Sequence, residues 1–207
     1  MTDFFALLDE PRRPWIEPDT LKDRFLRLSA ELHPDRFHDA PPETREAAGR
    51  RYTDLNSAYQ ALRDTRARSL HLLELESGNR PKDIQRIPPG TMDLFTAIGQ
   101  ACRDVDGFLQ ERAAVTSPML KVRLFQRGME WVESLKTLQQ QVHQRGRLLE
   151  DELRAMNAAW ESAPPAGTPD RAATLPLDRL ADTYRGLSYV ARWTGQIQER
   201  MVQLAAP

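Results

Sequence analysis

The sequence predicts an all-α protein, with an N-terminal helical hairpin and a C-terminal three-helix bundle. Nearly every segment of the 207-residue chain places its apolar residues at helical spacing, and segments with strand-like alternation are absent. Hydrophobic residues make up 40% and charged residues 29% of the chain, which is typical of helix-rich proteins that fold in water. A chain of this length can bury a real core, as one large domain or two small ones.

Prolines delimit the first two helices. Apolar spacing predicts a short helix over residues 3–10, which Pro11 closes. Pro18 opens a second helix over about 19–33, and Pro34 ends it because a proline ring blocks the continuation of a helix. The apolar residues of the second helix form one stripe that faces a core. They are Leu21, Phe25, Leu28 and Leu32.

A third helix, predicted over about 43–64, carries the matching apolar stripe. Two antiparallel helices joined by a loop can bury such stripes against each other, with the short first helix alongside. The stripe consists of Ala48, Tyr52, Leu55, Tyr59 and Leu62. A fourth apolar segment, residues 70–75, is followed by Gly78, which is typical of a helix end. Residues 77–90 are rich in proline and glycine, which predicts a linker.

Three helices are predicted for the second half of the chain, over about 91–115, over 118–161, and from about 176 onward. Ser117 is suited to cap the second of these, with a proline in its first turn. Residues 163–174 contain three prolines and a glycine and are predicted to form a loop. A three-helix bundle is the simplest arrangement of these elements.

The long helix over 118–161 is predicted to contain a helix–helix seam. Apolar residues recur in it at steps of three and four. The predicted seam residues are Val122, Phe125, Met129, Val132, Leu149, Leu153, Met156 and Trp160. Gly128 and Gly146 interrupt the pattern, so the sequence leaves open a bend or break in the helix.

Charge and cysteine content exclude several classes of function. Lys plus Arg (29) nearly equals Asp plus Glu (30), so no general basic field attracts nucleic acid. Cys102 is the only cysteine, which excludes an intramolecular disulfide and a multi-thiolate metal site, and we expect it to be a buried apolar residue. Residues 1–5 lack a cationic segment followed by a long apolar run, and no stretch has the length of a membrane span, so we expect neither a secretion signal nor a membrane anchor. We expect a cytoplasmic protein with no cofactor and no nucleic-acid or membrane partner.

The tripeptide His33-Pro34-Asp35 lies at the tip of the predicted helical hairpin. An exposed tip that a proline makes rigid presents an imidazole and a carboxylate with little ordering cost on binding. Two alternatives are that His33 only terminates its helix, where a cation complements the dipole, or that it forms an acid–base dyad with Asp35. Nothing nearby resembles a nucleophile, an oxyanion donor or a metal ligand, so we do not expect an enzyme.

The first 76 residues resemble a J-domain, specifically that of the HscB type, whose members serve iron–sulfur cluster assembly. The loop motif is common to all J-domains, and Arg24, Phe25, Leu28 and residues 33–37 resemble the second helix and loop of the family. Residues 3–8 are similar to the opening helix of the family, and residues 55–64 to its third helix. The segment Leu72-Leu73-Glu74-Leu75, which precedes Gly78, points to the HscB type.

The resemblance implies a mechanism in which the second helix and the loop dock on the ATPase domain of a DnaK/HscA-type chaperone. Docking favours ATP hydrolysis, so that the client is trapped on the chaperone. His33 and Asp35 would make the decisive polar contacts, and Pro34 would set their geometry. Nearby cations would supply charge complementarity. These cations are Lys22, Arg24, Arg27 and Arg36.

The cations of the second helix differ in how many acidic residues lie four positions away from them. Arg27 has Asp23 four residues before it and Glu31 four residues after it, which predicts partial neutralisation within the helix. Lys22 and Arg24 are predicted to be less affected.

The resemblance also implies a division into a J-domain over 1–76, a linker over 77–90, and a helical bundle over 91–207. In the HscB type, the bundle binds the iron–sulfur scaffold protein through apolar and acidic residues, mainly of its first helix. The corresponding helix here has few acids, and a closer local match lies in the following helix. Candidate client-binding residues from the two helices are Met92, Phe95, Asp104, Met129, Glu130 and Glu133.

Three functions remain in competition. The first is an HscB-type co-chaperone that delivers the iron–sulfur scaffold, and the second is a J-domain adaptor that delivers a different client. The third is a structural or oligomerising helical protein with an inactive loop, which would associate with itself along residues 118–160.

Overall fold

Every regular element in the described part of the chain is helical. The computed structural model of the protein describes residues 1–81, 87–88 and 90–206, and no strand occurs in these ranges. The predicted all-α fold class is therefore confirmed.

The N-terminal helices follow the predicted order. They are α1 (Phe4–Leu7), α2 (Pro18–Glu31), a 3₁₀ helix η1 (Pro34–Phe37), α3 (Pro42–Arg63) and α4 (Thr65–Ser77). The first helix is shorter than the predicted 3–10, and η1 occupies part of the predicted loop. The Asp3 carboxylate caps α1 and the Asp64 carboxylate caps α4, each by accepting backbone N–H groups of the first turn. Gly78 ends α4 at a φ of 70°, in the left-handed region that glycine adopts without strain.

Helix α3 is the centre of the N-terminal half, because it contacts α1, α2, η1 and α4. The predicted stripes of α2 and α3 meet there, and the rings of Phe25 and Tyr59 stack with centroids 4.1 Å apart. Leu21, Leu55 and Leu62 are fully buried in this core. The hairpin thereby fixes the two ends of the loop at residues 33–37.

The C-terminal elements are α5 (Met92–Ala114), α6 (Pro118–Glu161), α7 (Arg171–Thr174) and α8 (Leu177–Ala205). The short helix α7 lies in the predicted 163–174 loop and was not predicted. Helix α6 is continuous through both glycines. A Cβ on Gly128 would lie 3.6 Å from the Phe108 ring, and one on Gly146 would lie 3.5 Å from Val190. Both glycines lie at ordinary van der Waals distance from neighbouring side chains, and α6 does not break at either of them.

Only half of the predicted α6 seam is buried, so that prediction needs correction. Its second half is buried as expected, at Leu149, Leu153, Met156 and Trp160. In its first half Val132 is half-buried, whereas Val122, Phe125 and Met129 are exposed. The inward face of this part of α6 instead carries Leu124 and Leu135. Apolar residues occupy both faces here, and spacing alone does not say which face packs.

The chain divides into two compact units whose bounds differ from the predicted domains. One unit combines Met1–Asp83 with Glu150–Tyr184, and the other combines Ile84–Leu149 with Arg185–Pro207. In the first unit the Asn157 side-chain amide forms two hydrogen bonds with the backbone of Trp15. It accepts from the Trp15 N–H at 2.9 Å and donates to the Trp15 carbonyl at 3.0 Å. The Arg154 guanidinium lies over the Trp15 ring, 4.0 Å from its centroid.

The second unit has a core of its own, formed by α5, the first part of α6 and the last part of α8. Its most buried members are Ile98, Val105, Phe108, Leu135, Val142, Trp193 and Ile197. The division into 1–76 and 91–207 stays a prediction. Part of the predicted 77–90 linker, residues 82–86 and 89, lies outside the described residues.

Candidate functional site

The His33 side chain organises the loop that follows α2. Its Nδ1 accepts the Asp35 backbone N–H at 3.3 Å, which makes His33 the N-cap of η1. The Arg36 N–H donates to the His33 carbonyl at 3.0 Å and closes the turn. Pro34 occupies the first position of η1, where its fixed φ suits the helix. The loop is therefore an ordered turn, held by its own hydrogen bonds.

Both functional groups of the loop face solvent. The His33 side chain is 47% exposed and the Asp35 carboxylate 91% exposed. The His33 ring rests edge-on against Tyr52 of α3, at a centroid distance of 5.7 Å. The same Nδ1 atom lies 3.5 Å from Asp35 Oδ2. The loop therefore presents an imidazole ring beside an exposed carboxylate.

Two of the predicted cations are already engaged within the first unit. Arg24 Nε lies 3.0 Å from the buried carboxylate of Glu10. Arg27 contacts both Asp9 and Glu31 at 3.1 Å, and the hydrogen bonds to Asp9 and then Glu31 raise the pKa of its guanidinium. The predicted neutralisation by Glu31 is confirmed, whereas the prediction that Arg24 is less affected is wrong.

The acids that neutralise these arginines come from the end of the first helical segment. Asp9 and Glu10 lie just before Pro11 and reach α2 because that segment packs beside it. The sequence shows two acids next to the proline that ends this segment. It does not indicate their partners, because these ion pairs join residues 14 and 18 positions apart.

A different side of α2 leads to the loop. Lys22, Leu26 and Ala30 follow one another at steps of four and are all exposed, so they share one face of the helix. Lys22 forms no ion pair or hydrogen bond with any residue in the described ranges. The Arg36 guanidinium donates to the Ala30 carbonyl at 3.4 Å, at the end of this face. We call Lys22, Leu26, Ala30 and residues 33–36 the docking face.

Leu26 is the member of the docking face that sequence reasoning missed. Its side chain is 53% exposed although it lies in the middle of a helix that buries Leu21. The signal was its offset by one position from the buried stripe at Phe25. An exposed leucine between cations is suited to become an apolar contact in a complex.

Two of the candidate client-binding residues lie in the first turns of α5. Met92 and Phe95 are both exposed, and the Phe95 ring contacts the Tyr189 ring of α8 edge-on at a centroid distance of 6.4 Å. Asp104 is exposed farther along α5 and accepts a hydrogen bond from the Gln100 amide at 2.8 Å.

The other three candidates belong to a separate surface on α6. Met129 follows Gly128, which packs against Phe108 of α5. Phe108 is 13 residues from Phe95, or about 20 Å along the helix at 1.5 Å per residue. Glu130 is exposed, and the Glu133 carboxylate contacts Lys136 at 2.7 Å. The structure therefore does not combine the six candidates in one patch.

The described residues contain neither a candidate metal site nor a candidate membrane-spanning helix. No group of three or more His, Cys, Asp or Glu residues in these ranges is arranged to hold a metal ion. No helix there is both long and apolar enough to cross a bilayer. Cys102 is buried, and this burial raises the pKa of its thiol.

Comparison with solved structures identifies the architecture. No protein-family model matches the sequence. The chaperone HscB from Vibrio cholerae is similar over 98% of this chain and 99% of its own, with a TM-score of 0.58 and 19% identity. The human co-chaperone protein HscB is similar over 98% of this chain and 83% of its own, with a TM-score of 0.60 and 18% identity. The chain has the HscB fold. The resemblance to HscB predicted from the sequence is thus confirmed for the fold.

Proposed function

We propose that the protein is an HscB-type co-chaperone that stimulates ATP hydrolysis by a DnaK/HscA-type chaperone. The observation that carries this proposal is the ordered, exposed turn in which His33 caps η1 and Asp35 points to solvent. A turn that its own hydrogen bonds already order loses little conformational entropy when it docks. The chain itself performs no chemistry, and its effect is on the partner's ATPase.

We infer that the residues of the docking face contribute to different steps of binding to the chaperone. Lys22 is free to attract an acidic surface, which raises the association rate and orients the two proteins. Leu26 lies one turn along the same face and supplies an apolar contact that only forms once the proteins touch. Arg24 and Arg27 contribute less, because Glu10, Asp9 and Glu31 already neutralise them.

The proposal is tested by chaperone ATPase activity with the wild-type chain, His33→Gln and His38→Gln. Glutamine at position 33 keeps polarity but loses the imidazole that caps η1. His38 is an exposed histidine just beyond η1 and serves as the matched control. We expect stimulation by the wild type and by His38→Gln but none by His33→Gln, with equal helicity for all three. Equal stimulation by His33→Gln would refute the proposal.

For the client, we propose the iron–sulfur scaffold protein, bound at the start of α5. Met92 and Phe95 are exposed there, one turn apart on α5, and the Phe95 ring rests against the buried ring of Tyr189. The scarcity of acids along α5 keeps a different client as the second candidate. An inactive structural role is the third, and it predicts no effect on any chaperone.

Direct binding distinguishes the two clients. We expect purified iron–sulfur scaffold protein to bind the wild-type chain in calorimetry, and the double variant Met92→Ser with Phe95→Ser to bind at least tenfold more weakly, a loss of about 1.4 kcal/mol. Leu148→Ser, which removes a comparably exposed leucine from another helix, serves as the control. Scaffold that fails to bind the wild type would favour a different client.

A further inference from the structure

A groove at one end of the second unit is open to solvent and mainly apolar. It lies between the C-terminal half of α5, the first part of α6 and the end of α8, and its volume is about 1100 Å³. A smaller recess of about 360 Å³ continues it along α8. Its volume slightly exceeds the roughly 300–1000 Å³ that is usual for small-molecule pockets, and its apolar wall continues along α6, so it can hold a polypeptide segment. Its apolar lining includes Leu109, Val115, Phe125, Met129, Met201 and Val202.

One wall of the groove continues into an exposed apolar stripe on α6. The stripe consists of Met119, Val122, Phe125 and Met129, spaced at three and four residues, and its members are between 48% and 80% exposed. A contiguous apolar patch of this kind on a folded protein indicates an interaction surface. Methionine and aromatic residues are also the types enriched at the centres of protein interfaces.

Cations outnumber acids around the stripe, where Asp106 lines the groove and Glu130 directly follows Met129. Between residues 112 and 129 the chain has four cations and no acid. The Arg127 guanidinium contacts Glu111 at 2.9 Å, and Arg112 donates to the last carbonyls of α8. Lys121 and Arg123 form no ion pair with any residue of the described chain. They lie four residues before Phe125 and four after Met119, so they border the stripe on both sides.

We propose that this groove binds an acidic amphipathic helix of a partner protein. The apolar face of that helix would cover the α6 stripe and fill the groove, as in other helix-in-groove complexes. Its carboxylates would meet Lys121 and Arg123, which complement them in charge. This surface is separate from the docking face, and the proposal does not depend on the chaperone function.

Two other occupants fit the same surface less well. A second copy would bring the same four cations of residues 112–129, so a symmetric contact through the stripe sets like charges against each other. An anionic membrane would suit the stripe, but a planar surface cannot fill a groove of about 1100 Å³. A convex acidic helix satisfies both the charge and the shape.

The test uses fluorescence anisotropy with the full chain and a labelled synthetic peptide of about 18 residues, five helical turns. The peptide has Leu and Phe on one face and Glu on the other. We expect saturable binding that weakens at higher salt. Phe125→Ser with Met129→Ser, and separately Lys121→Glu with Arg123→Glu, should each weaken it at least tenfold. Leu148→Ser removes an exposed leucine elsewhere on α6 and should leave the affinity unchanged, as should His33→Gln.

Three results would overturn the proposal. One is that a peptide with Lys in place of Glu binds equally well, or that neither peptide binds. The second is binding to phosphatidylserine-containing vesicles, lost in the Phe125→Ser, Met129→Ser variant, without binding to the acidic peptide. The third is a wild-type dimer in sedimentation that the same variant converts to monomers.

Discussion

His71 shows how one buried side chain joins the two ends of the N-terminal half. Its Nε2 accepts the backbone N–H of Phe4 at 3.1 Å, and its ring stacks on the rings of Phe4 and Phe5 at 4.4 and 5.9 Å between centroids. Burial lowers the pKa of His71, and the nearby Asp3 carboxylate offsets this only in part. Protonation would remove the acceptor that binds α1 to α4.

We therefore expect the stability of the protein to fall in mild acid. The folded pKa of His71 lies below its unfolded value of about 6.5, so the unfolded chain takes up the proton more readily. The stabilising contribution is complete above about pH 6.5 and is lost as the pH falls through the folded pKa. Urea unfolding at about pH 7.5 and pH 5.5 measures this loss. It should shrink in His71→Gln, which accepts a hydrogen bond but does not titrate, and persist in the exposed control His143→Gln.

The sequence predicts the environment of some single residues and not of others. The position of the His33-Pro34-Asp35 loop was predictable because Pro34 ends the preceding helix in the sequence itself, whereas η1 and its capping by His33 were not predicted. The state of Arg24 was not predictable, because Glu10 reaches it only through the packing of one segment on another. A local charge pattern can identify the partner of Arg27 within its helix, Glu31, and nothing beyond it.

At the scale of helices, α6 and α8 approach closely at Gly186. A Cβ at this position would lie 2.9 Å from both terminal carbons of Leu149, which is itself fully buried. Such a contact forces the leucine to move within a packed core. Gly195 lies nine residues farther along α8, and a Cβ added there would have no neighbouring atom within 4 Å.

The two glycines should therefore respond in opposite directions to alanine. We expect Gly186→Ala to lower the free energy of unfolding by about 1–2 kcal/mol, because overpacking outweighs the gain in helix propensity. Gly195→Ala should raise it by about 0.5–1 kcal/mol, since only the propensity changes. Chemical denaturation of both variants measures the difference. Equal stabilisation by the two substitutions would contradict the close packing at Leu149.

Helix positions were predictable largely from their ends. Pro18, Pro42 and Pro118 each start a helix, and Gly78 ends one, as the stop and start signals indicate. The α6 seam was not predictable in its first half, because apolar residues there lie on two faces. Leu124 packs into the core, whereas the apolar residues on the other face of α6 form the exposed stripe.

At the scale of the whole chain, the Asn157–Trp15 contact joins segments 142 positions apart. Trp15 is buried, so its backbone N–H and carbonyl depend on the Asn157 amide for their hydrogen bonds. No composition or spacing signal identifies such a pair. For this reason the sequence predicted a boundary after residue 76 but not that Glu150–Tyr184 joins the N-terminal unit.

Removing this contact should destabilise the first unit. We expect Asn157→Ala to cost about 1–3 kcal/mol, because it leaves a buried donor and acceptor without partners. Hydrogen exchange should become faster in the N-terminal helices. Gln144→Ala, an exposed amide on the same helix, is the control and should change little. Unchanged exchange in Asn157→Ala would mean that the first unit does not depend on this contact.

The central claim is that the docking face triggers hydrolysis on a chaperone, and single-turnover ATP hydrolysis by the cognate DnaK/HscA-type protein tests it most directly. The wild-type chain and His33→Gln are each compared with and without purified iron–sulfur scaffold protein. We predict that the wild type accelerates hydrolysis several-fold, that scaffold increases this further, and that His33→Gln leaves the rate at that of the chaperone alone. If wild type and His33→Gln gave the same rate under both conditions, the claim would be contradicted.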